Sequence, residues 1–438
     1  MGEATGVPGQ ARRILLLLHR YAGLYMAVFL VVAGLTGSVL AFGVELNRWL
    51  VPPRQVALRA EPVLDPIALR DRAQRMVSEG AVNRILLEPP NPGEAFTVLV
   101  EPRLDPHRVD SSELTYQVLY LNPYTGEELG RESLEEGRFW PLTRKRILPL
   151  IIALHYRLAV PGSIGIWLFG VAALIWTFDC FIGAWLTFPV STDRRPRPRG
   201  VNAKPSRTSW WGSWRPAWQV RWGSAAYRLN FDLHRAGGLW VWCMLFILAW
   251  SSVGLNLRQQ VYDPVMNTVF RIPKEPSASQ PGLNAPQAGP GMTWHDARQV
   301  GRALMAEQAH QRGFRVIREF ILYYDPESGR FIYFATTDKD IGTHGGGASV
   351  SFDGTTGRLV RVSPPMKNHV GETLSGWLFA LHMAHVGGLP YKVFLSGMGF
   401  MVALLSVTGV YLWWKKRKMG RIVRHQRRSQ GGQAPATS

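Results

Sequence analysis

The chain has 438 residues, 46% of them hydrophobic, and 50 Lys/Arg against 31 Asp/Glu give a formal net charge of +19. Its only cysteines, Cys180 and Cys243, exclude a disulfide framework and a thiolate metal cluster. No Walker loop or dinucleotide fingerprint occurs, which argues against NAD(P)H binding, and THGGGASV around His344 lacks the G-x-S-x-G that a serine hydrolase needs.

Four windows, residues 21–44, 158–178, 236–257 and 393–414, are apolar and free of charge. Each has about 20 residues or more, enough for a helix to cross a hydrocarbon layer roughly 30 Å thick. In chain order the sequence predicts a first membrane helix within 12–44 and an outer segment over 45–145. A short Leu-His helix and the second membrane helix follow in 146–190, then a basic linker over 191–228 and the third membrane helix in 229–257. A second outer segment takes 258–371, another Leu-His helix and the fourth membrane helix 372–414, and a basic tail 415–438. The apolar core after Arg12 and Arg13 far exceeds the about 7 to 15 residues of a signal peptide, so the first helix is expected to be an uncleaved anchor.

Charge sets the expected topology. Residues 189–230 carry nine Lys/Arg against the single acid Asp193, and the chain after Trp414 carries eight Lys/Arg and no acid. The outer segments are balanced, with 14 basic and 16 acidic residues in 45–150. Basic loops stay on the cytoplasmic face, which puts the linker and both termini inside and the two large segments outside. The Pro-Arg run RRPRPRG sits between two membrane spans without a folded nucleic-acid motif, so no nucleic-acid partner is expected.

Both outer segments read as small α+β domains. Residues 67–79 and 294–311 have helical character. ILLEPP, AFTVLVEP and LTYQVLYLNPYTGEELG in the first segment, and FRVIREFILYYDPESGRFIYFATT and ASVSFDGTTGRLV in the second, are β-branched and aromatic runs punctuated by turn residues. Residues 273–292, rich in Pro, Gly, Ser and Gln, read as a flexible loop.

The chain is written twice. LHRYAGLYMAVFLVVAGLTGSVLAF aligns with LHRAGGLWVWCMLFILAWSSVGLNL, placing His19 on His234 and Arg20 on Arg235. IIALHYRLAVPGSIGIWLFG matches LFALHMAHVGGLPYKVFLSG, placing His155 on His382. With the same spans in the same orientation, the halves form a parallel repeat about an axis along the membrane normal.

Five of the eleven histidines gather at membrane boundaries: His19 and His234 at the cytoplasmic ends of their helices, His155, His382 and His385 at the outer ends. Ionisable groups there are costly and tend to face a protein interior, a partner or a cofactor, and neutral imidazole is a standard axial ligand of haem iron. Residues at equivalent repeat positions share a depth. The sequence therefore predicts two b-type haems, one held by His19 and His234 and one by His155 and His382, forming an electron wire. Gly23, Gly237 and Gly238 would allow close approach of the macrocycle, and Arg20 and Arg235 would meet its propionates. His385, three residues after His382 and on the same helical face, stands as an alternative ligand or as part of a substrate mouth. The bland reading, interfacial histidines beside snorkelling arginines, is outweighed by the duplication. Asp179 in IWTFDCFIG is a lone membrane carboxylate, open between a proton relay, a helix contact and a capped structural role. Trp176, Trp240, Trp242 and Trp250 are aromatic residues able to stack near a macrocycle.

LHRYAGLYMAVFLVVAGLTGSVLAF and LHRAGGLW resemble the PepSY-associated transmembrane helix family, as do the T-G pairs Thr36-Gly37 and Thr408-Gly409. NPYTGEELG (122–130) and SFDGTTGRLV (351–360) look like PepSY turn motifs. The likeness covers residues 12 to about 418; SSVG at 251–254 departs from the L-T-G pattern. This resemblance implies a mainly α fold, a four-transmembrane-helix bundle built from a duplicated half, with two extracytoplasmic α+β (PepSY-like) domains in a bacterial inner membrane. It also implies a siderophore or other Fe(III)-chelate reductase of the ferrioxamine reductase type, with haem ligands at His19, His155, His234 and His382. His344, His369 and His385 are then candidates near a substrate mouth. Electrons would come from a cytoplasmic flavoprotein or membrane quinol, since a fused flavoprotein domain is not seen. Two other classes fit the same residues, a non-catalytic PepSY regulator or binding protein and a transporter component.

Overall fold

The computed structural model describes residues 7–103, 116–133, 139–189, 209–271, 289–342, 346–365 and 369–431. The RRPRPRG run, residues 273–288 of the Pro/Gly/Ser/Gln-rich stretch, and His344 lie outside the described residues.

From the N-terminus, α1 (Val7–Leu40) is followed by α2 (Gly43–Leu50) and α3 (Pro66–Met76). Asp65 starts α3: its carboxylate accepts from the Ile67 N–H, and Pro66 takes the first helical position, where a missing N–H costs nothing. Strands β1 (Gly80–Ala81), β2 (Arg84–Leu86), β3 (Phe96–Leu99), β4 (Glu101–Pro102), β5 (Val118–Leu121) and β6 (Glu128–Glu132) come next. Then come α4 (Arg144–Arg157), α5 (Ile164–Thr187) and α6 (Trp210–Trp214). The pair α7 (Ala226–Trp240) and α8 (Trp242–Asn256) runs through a π turn into α9 (Asp263–Phe270). The second outer segment supplies α10 (Trp294–Arg312), β7 (Val316–Asp325), β8 (Arg330–Thr337), β9 (Ala348–Asp353), β10 (Leu359–Ser363) and α11 (Val370–His382), and α12 (Gly388–Gly431) ends the described chain.

The chain divides into two compact units. The membrane unit comprises residues 1–43, 148–264 and 389–438. Three helices are long and apolar enough to cross a membrane, over Gly9–Leu40, Ile164–Thr187 and Gly388–Met419; α7 and α8 make a fourth if the bent pair is one span. This is a multi-pass membrane protein. The third helix expected over 229–257 is bent by 72° at Val241. No proline lies there; the two flanking indoles are tied to different neighbours. Trp240 Nε1 donates to the Trp218 carbonyl at 3.1 Å and Trp242 Nε1 to the Cys180 carbonyl at 2.8 Å.

Helix α5 packs on both α1 and α8. Helices α1 and α12 cross backbone to backbone, because a Cβ at Gly34 or Gly399 would collide with the other helix. Ser38 Oγ donates across the crossing to the Ser396 carbonyl at 2.8 Å. Small residues do this work in lipid, where apolar surface alone gives helices no reason to associate.

The second unit comprises residues 44–147 and 265–388. Its largest sheet has the order β10-β9-β8-β7-β2, beside a three-stranded sheet β3-β5-β6 and the pair β1-β4. Strand β2 comes from the first outer segment and pairs antiparallel with β7 of the second, Ile85 opposite Leu322. The two segments, read from sequence as two domains, thus share a sheet. They also share a core, with Leu69, Val98 and Leu119 from one and Met305, Phe331 and Val350 from the other. The physical reason is the edge of β7, whose unpaired N–H and C=O groups need a partner strand. An ionic clamp completes the join: Arg298 reaches Asp65 at 2.7 Å and Glu319 at 2.5 Å. Burial pushes the Glu319 carboxyl up, but hydrogen bonds from Arg298, Arg302 and Tyr333 outweigh it and bring it down to about 2.

Candidate cofactor site

In the membrane unit, His19 of α1 and His234 of α7 hold their ring centres 6.0 Å apart with the planes inclined at 60°. The two line a cavity of about 710 Å³ with Trp176, Asp179, Trp242, Leu245 and Leu405 among its walls. That size falls within the about 300–1,000 Å³ of small-molecule and cofactor sites.

Each ring is fixed through Nδ1. His19 Nδ1 is 2.9 Å from Asp179 Oδ1. His234 Nδ1 is 3.0 Å from the Leu405 carbonyl and 3.2 Å from Thr408 Oγ1. Carboxylate and carbonyl oxygens only accept, and the Thr408 hydroxyl spends its own proton on the Leu404 carbonyl at 2.8 Å. Both Nδ1 atoms therefore carry the hydrogen, which leaves the Nε2 lone pair of each ring as the free metal-binding group.

A glycine seats each ring. A Cβ at Gly183 would lie 3.4 Å from His19 Cε1, and one at Gly409 would lie 3.2 Å from His234 Cε1. His155, in α4, repeats the pattern against α1: Thr36 Oγ1 is 3.1 Å from its Nδ1, and a Cβ at Gly37 would come within 2.9 Å of its Cε1. Thr36 also spends its proton on the carbonyl four residues back, Val32, at 2.6 Å. The Thr-Gly pairs 36–37 and 408–409 are thus histidine seats. In the sequence they stand out only as a family-like motif; their recurrence is the signal from which the seats were legible. Asp179 as the partner of His19 is a contact that no spacing announces.

The other expected residues fall as follows. Gly23 and Gly238 line the cavity and face open space, whereas Gly237 packs near Met401 and Leu405 of α12. Arg20 lines the cavity and makes no hydrogen bond or ion pair among the described residues; Arg12, Arg13 and Lys416 line it too. Arg235 is partly committed, to Asp232 Oδ1 at 3.1 Å and the Pro216 carbonyl at 2.8 Å, but its buried Nε has no partner among the described residues. Asp232, wholly buried, also takes a two-pronged pair from Arg221 at 2.7 Å through each oxygen, an arrangement the sequence does not announce. Trp176 and Trp242 line the cavity, while Trp240 is held by Trp218 and Trp250 leans on Tyr262. Cys180 and Cys243 are both free thiols.

In the second unit, His382 is the last residue of α11. The shared helical face expected for His382 and His385 does not form, because the helix stops and Ala384 turns the chain with φ +55°. His385 lies beyond that turn, its N–H bonded to the Ala380 carbonyl at 2.9 Å and its Cβ close to Gly342. His155 is followed by the same device, Leu158 and Ala159 at φ +54° and +55°. Left-handed backbone at non-glycine residues is strained and gathers at functional sites. His369 precedes the first turn of α11 without capping it through its side chain.

The profile for the PepSY-associated TM region matches residues 16–416. The chain belongs to that family. No curated protein matches it. In this PepSY-associated membrane protein the matched span contains His19, His234, both Thr-Gly seats and Asp179. Among the described residues no group of three or more His, Cys, Asp or Glu gathers as a metal cluster, so the paired imidazoles are the ligand set to test against a cofactor.

The residues suit haem in kind: two imidazoles 6.0 Å apart, each with Nδ1 engaged, would offer Nε2 to its iron. Apolar walls suit a macrocycle, and Arg20 with the orphaned Arg235 Nε suits its carboxylates.

Proposed function

We propose that this protein is a b-type haem oxidoreductase of the bacterial inner membrane that passes electrons outward to reduce Fe(III) in periplasmic chelates such as siderophores. The observation that carries the proposal is the His19–His234 pair, two rings from the duplicated halves held 6.0 Å apart with both Nδ1 atoms already engaged. Haem bound there supplies one-electron transfer between its ferric and ferrous states. His155, seated on Thr36 and Gly37 as His234 is on Thr408 and Gly409, is a further candidate ligand within the same proposal.

The protein's own residues do the rest. Asp179, the Leu405 carbonyl and Thr408 fix the tautomer and aim of the two rings, as partners of metal-bound histidine do. Leu245, Leu405, Trp176 and Trp242 exclude water and lower the local dielectric. Arg20 and Arg235 would hold the carboxylates of a bound haem. On the substrate side, one electron turns chelated Fe(III) into Fe(II), and hard oxygen donors hold the lower charge less tightly, so the metal leaves. His369 and His385 are candidates to meet the chelate. The basic linker and tail support an orientation with both termini in the cytoplasm, and the donor would be a cytoplasmic flavoprotein or membrane quinol.

A reduced-minus-oxidised spectrum of the purified protein tests this. The expected result is the sharp α-band of low-spin, two-imidazole haem, bleached on addition of a ferric chelate. A colourless protein refutes the proposal; a coloured one that no ferric chelate oxidises refutes the substrate.

A further inference from the structure

The two rings of the cavity are not held alike. Gly183 and Gly409 stand at Cε1 of His19 and His234 and so align α5 with α12. Four residues before each glycine lie Asp179 and Leu405; one residue before lie Ile182 and Thr408. The α12 seat offers neutral acceptors, the Leu405 carbonyl and the Thr408 hydroxyl. The α5 seat offers a carboxylate at 2.9 Å. Asp179 is 7% exposed in the middle of an apolar helix and has no Lys or Arg partner among the described residues. Its Oδ2 makes no hydrogen bond among them. A carboxylate at such a depth costs several kcal/mol, and a serine or a carbonyl would orient the ring at lower cost. What a carboxylate adds over a carbonyl is charge.

We propose that Asp179 is a positioning residue that acts through His19 to make the centre between His19 and His234 strongly reducing, matched to ferric chelates of hard oxygen donors. This rests on the haem reading above. A carboxylate accepting from Nδ1–H pushes electron density onto the imidazole and makes its Nε2 a stronger donor. A stronger, more negative ligand favours the more highly charged metal state, so the reduced state gives up its electron more readily. Ferric chelates with oxygen donors stabilise Fe(III) and accept electrons only from such a donor. The asymmetry between the two seats confines the effect to one ring of the pair, which keeps the other ring's seat neutral.

The test is an equilibrium optical redox titration of the full-length protein in lipid nanodiscs, with low-spin haem electron paramagnetic resonance alongside. Asp179→Asn is expected to keep its haem and to show, at the potential where the wild-type centre is half reduced, at least ten-fold more reduced over oxidised form, a shift of about 59 mV for one electron. Asp179→Glu is expected to return towards the wild-type midpoint, and the g-values of one haem to change in Asp179→Asn. Should Asp179→Asn fail to assemble, the double variant Asp179→Leu with Ile182→Thr rebuilds the α12 type of seat on α5 and is expected to show the same rise. Loaded Asp179→Asn or double variant with an unmoved midpoint overturns this proposal alone. A wild-type protein without haem overturns the haem reading, and this proposal with it.

Discussion

Thr408 and His234 meet at 3.2 Å across two helices, and Thr36 and His155 meet at 3.1 Å in the same way. In each case the threonine hydroxyl donates to the carbonyl four residues back and the following glycine leaves room for Cε1. One dipeptide, used twice, gives a half-buried imidazole both an acceptor and a place to lie.

Removing either ring of the cavity pair is expected to remove the same pigment. His19→Ala and His234→Ala should each lower the haem per chain by one, and the double variant should lower it no further. Pigment-to-protein stoichiometry measures this, and unchanged content in both single variants rejects the ligand assignment.

The seats separate sterics from hydrogen bonding. Gly409→Leu and Gly37→Leu push a side chain into His234 and His155 and are expected to lose pigment as completely as the alanine variants of those histidines. Thr408→Val leaves the Leu405 carbonyl as acceptor, so it should weaken retention only by about 1 kcal/mol, or several-fold in the rate of haem loss. Rates of haem transfer to an acceptor globin compare the two.

At the helix crossing, Gly34→Leu or Gly399→Leu forces α1 and α12 apart. Overpacking costs typically about 1–3 kcal/mol, and here the obstacle is backbone, so the upper end is expected. Ser38→Ala removes a single hydrogen bond across the crossing and should cost well under about 1 kcal/mol. Thermal unfolding in detergent gives the ranking Gly399→Leu below Ser38→Ala below wild type.

The ionic clamp of the second unit predicts a pH dependence. Glu319 is held down to about 2, so its contribution is complete above the ordinary carboxylate value and is lost as pH falls through the folded value. The melting temperature of the second unit, followed by intrinsic fluorescence, should therefore decline between about pH 4.5 and pH 2. Glu319→Gln should melt lower at pH 7, by about 1–3 kcal/mol, and should flatten that decline. Equal pH profiles for variant and wild type would remove Glu319 as the cause.

Much of this protein is written in local pattern. The apolar runs fix the long helices, the β-branched runs place β7 to β10, and the repeated LHR motif singles out His19 and His234, because hydropathy, propensity and duplication are properties of short stretches. Other features depend on residues far apart in the chain. Pairing of Ile85 with Leu322, the seating of His155 on Thr36 and Gly37, and the meeting of His19 with Asp179 each join segments more than a hundred residues apart. The bend at Val241 belongs with them, since indoles on either side find their carbonyls on other segments. Sequence pattern singled out the imidazoles that flank the apolar runs. Only packing decided that one of them faces a carboxylate and its counterpart a carbonyl, because side-chain partners across helices are chosen by which faces meet, and no single helix encodes that.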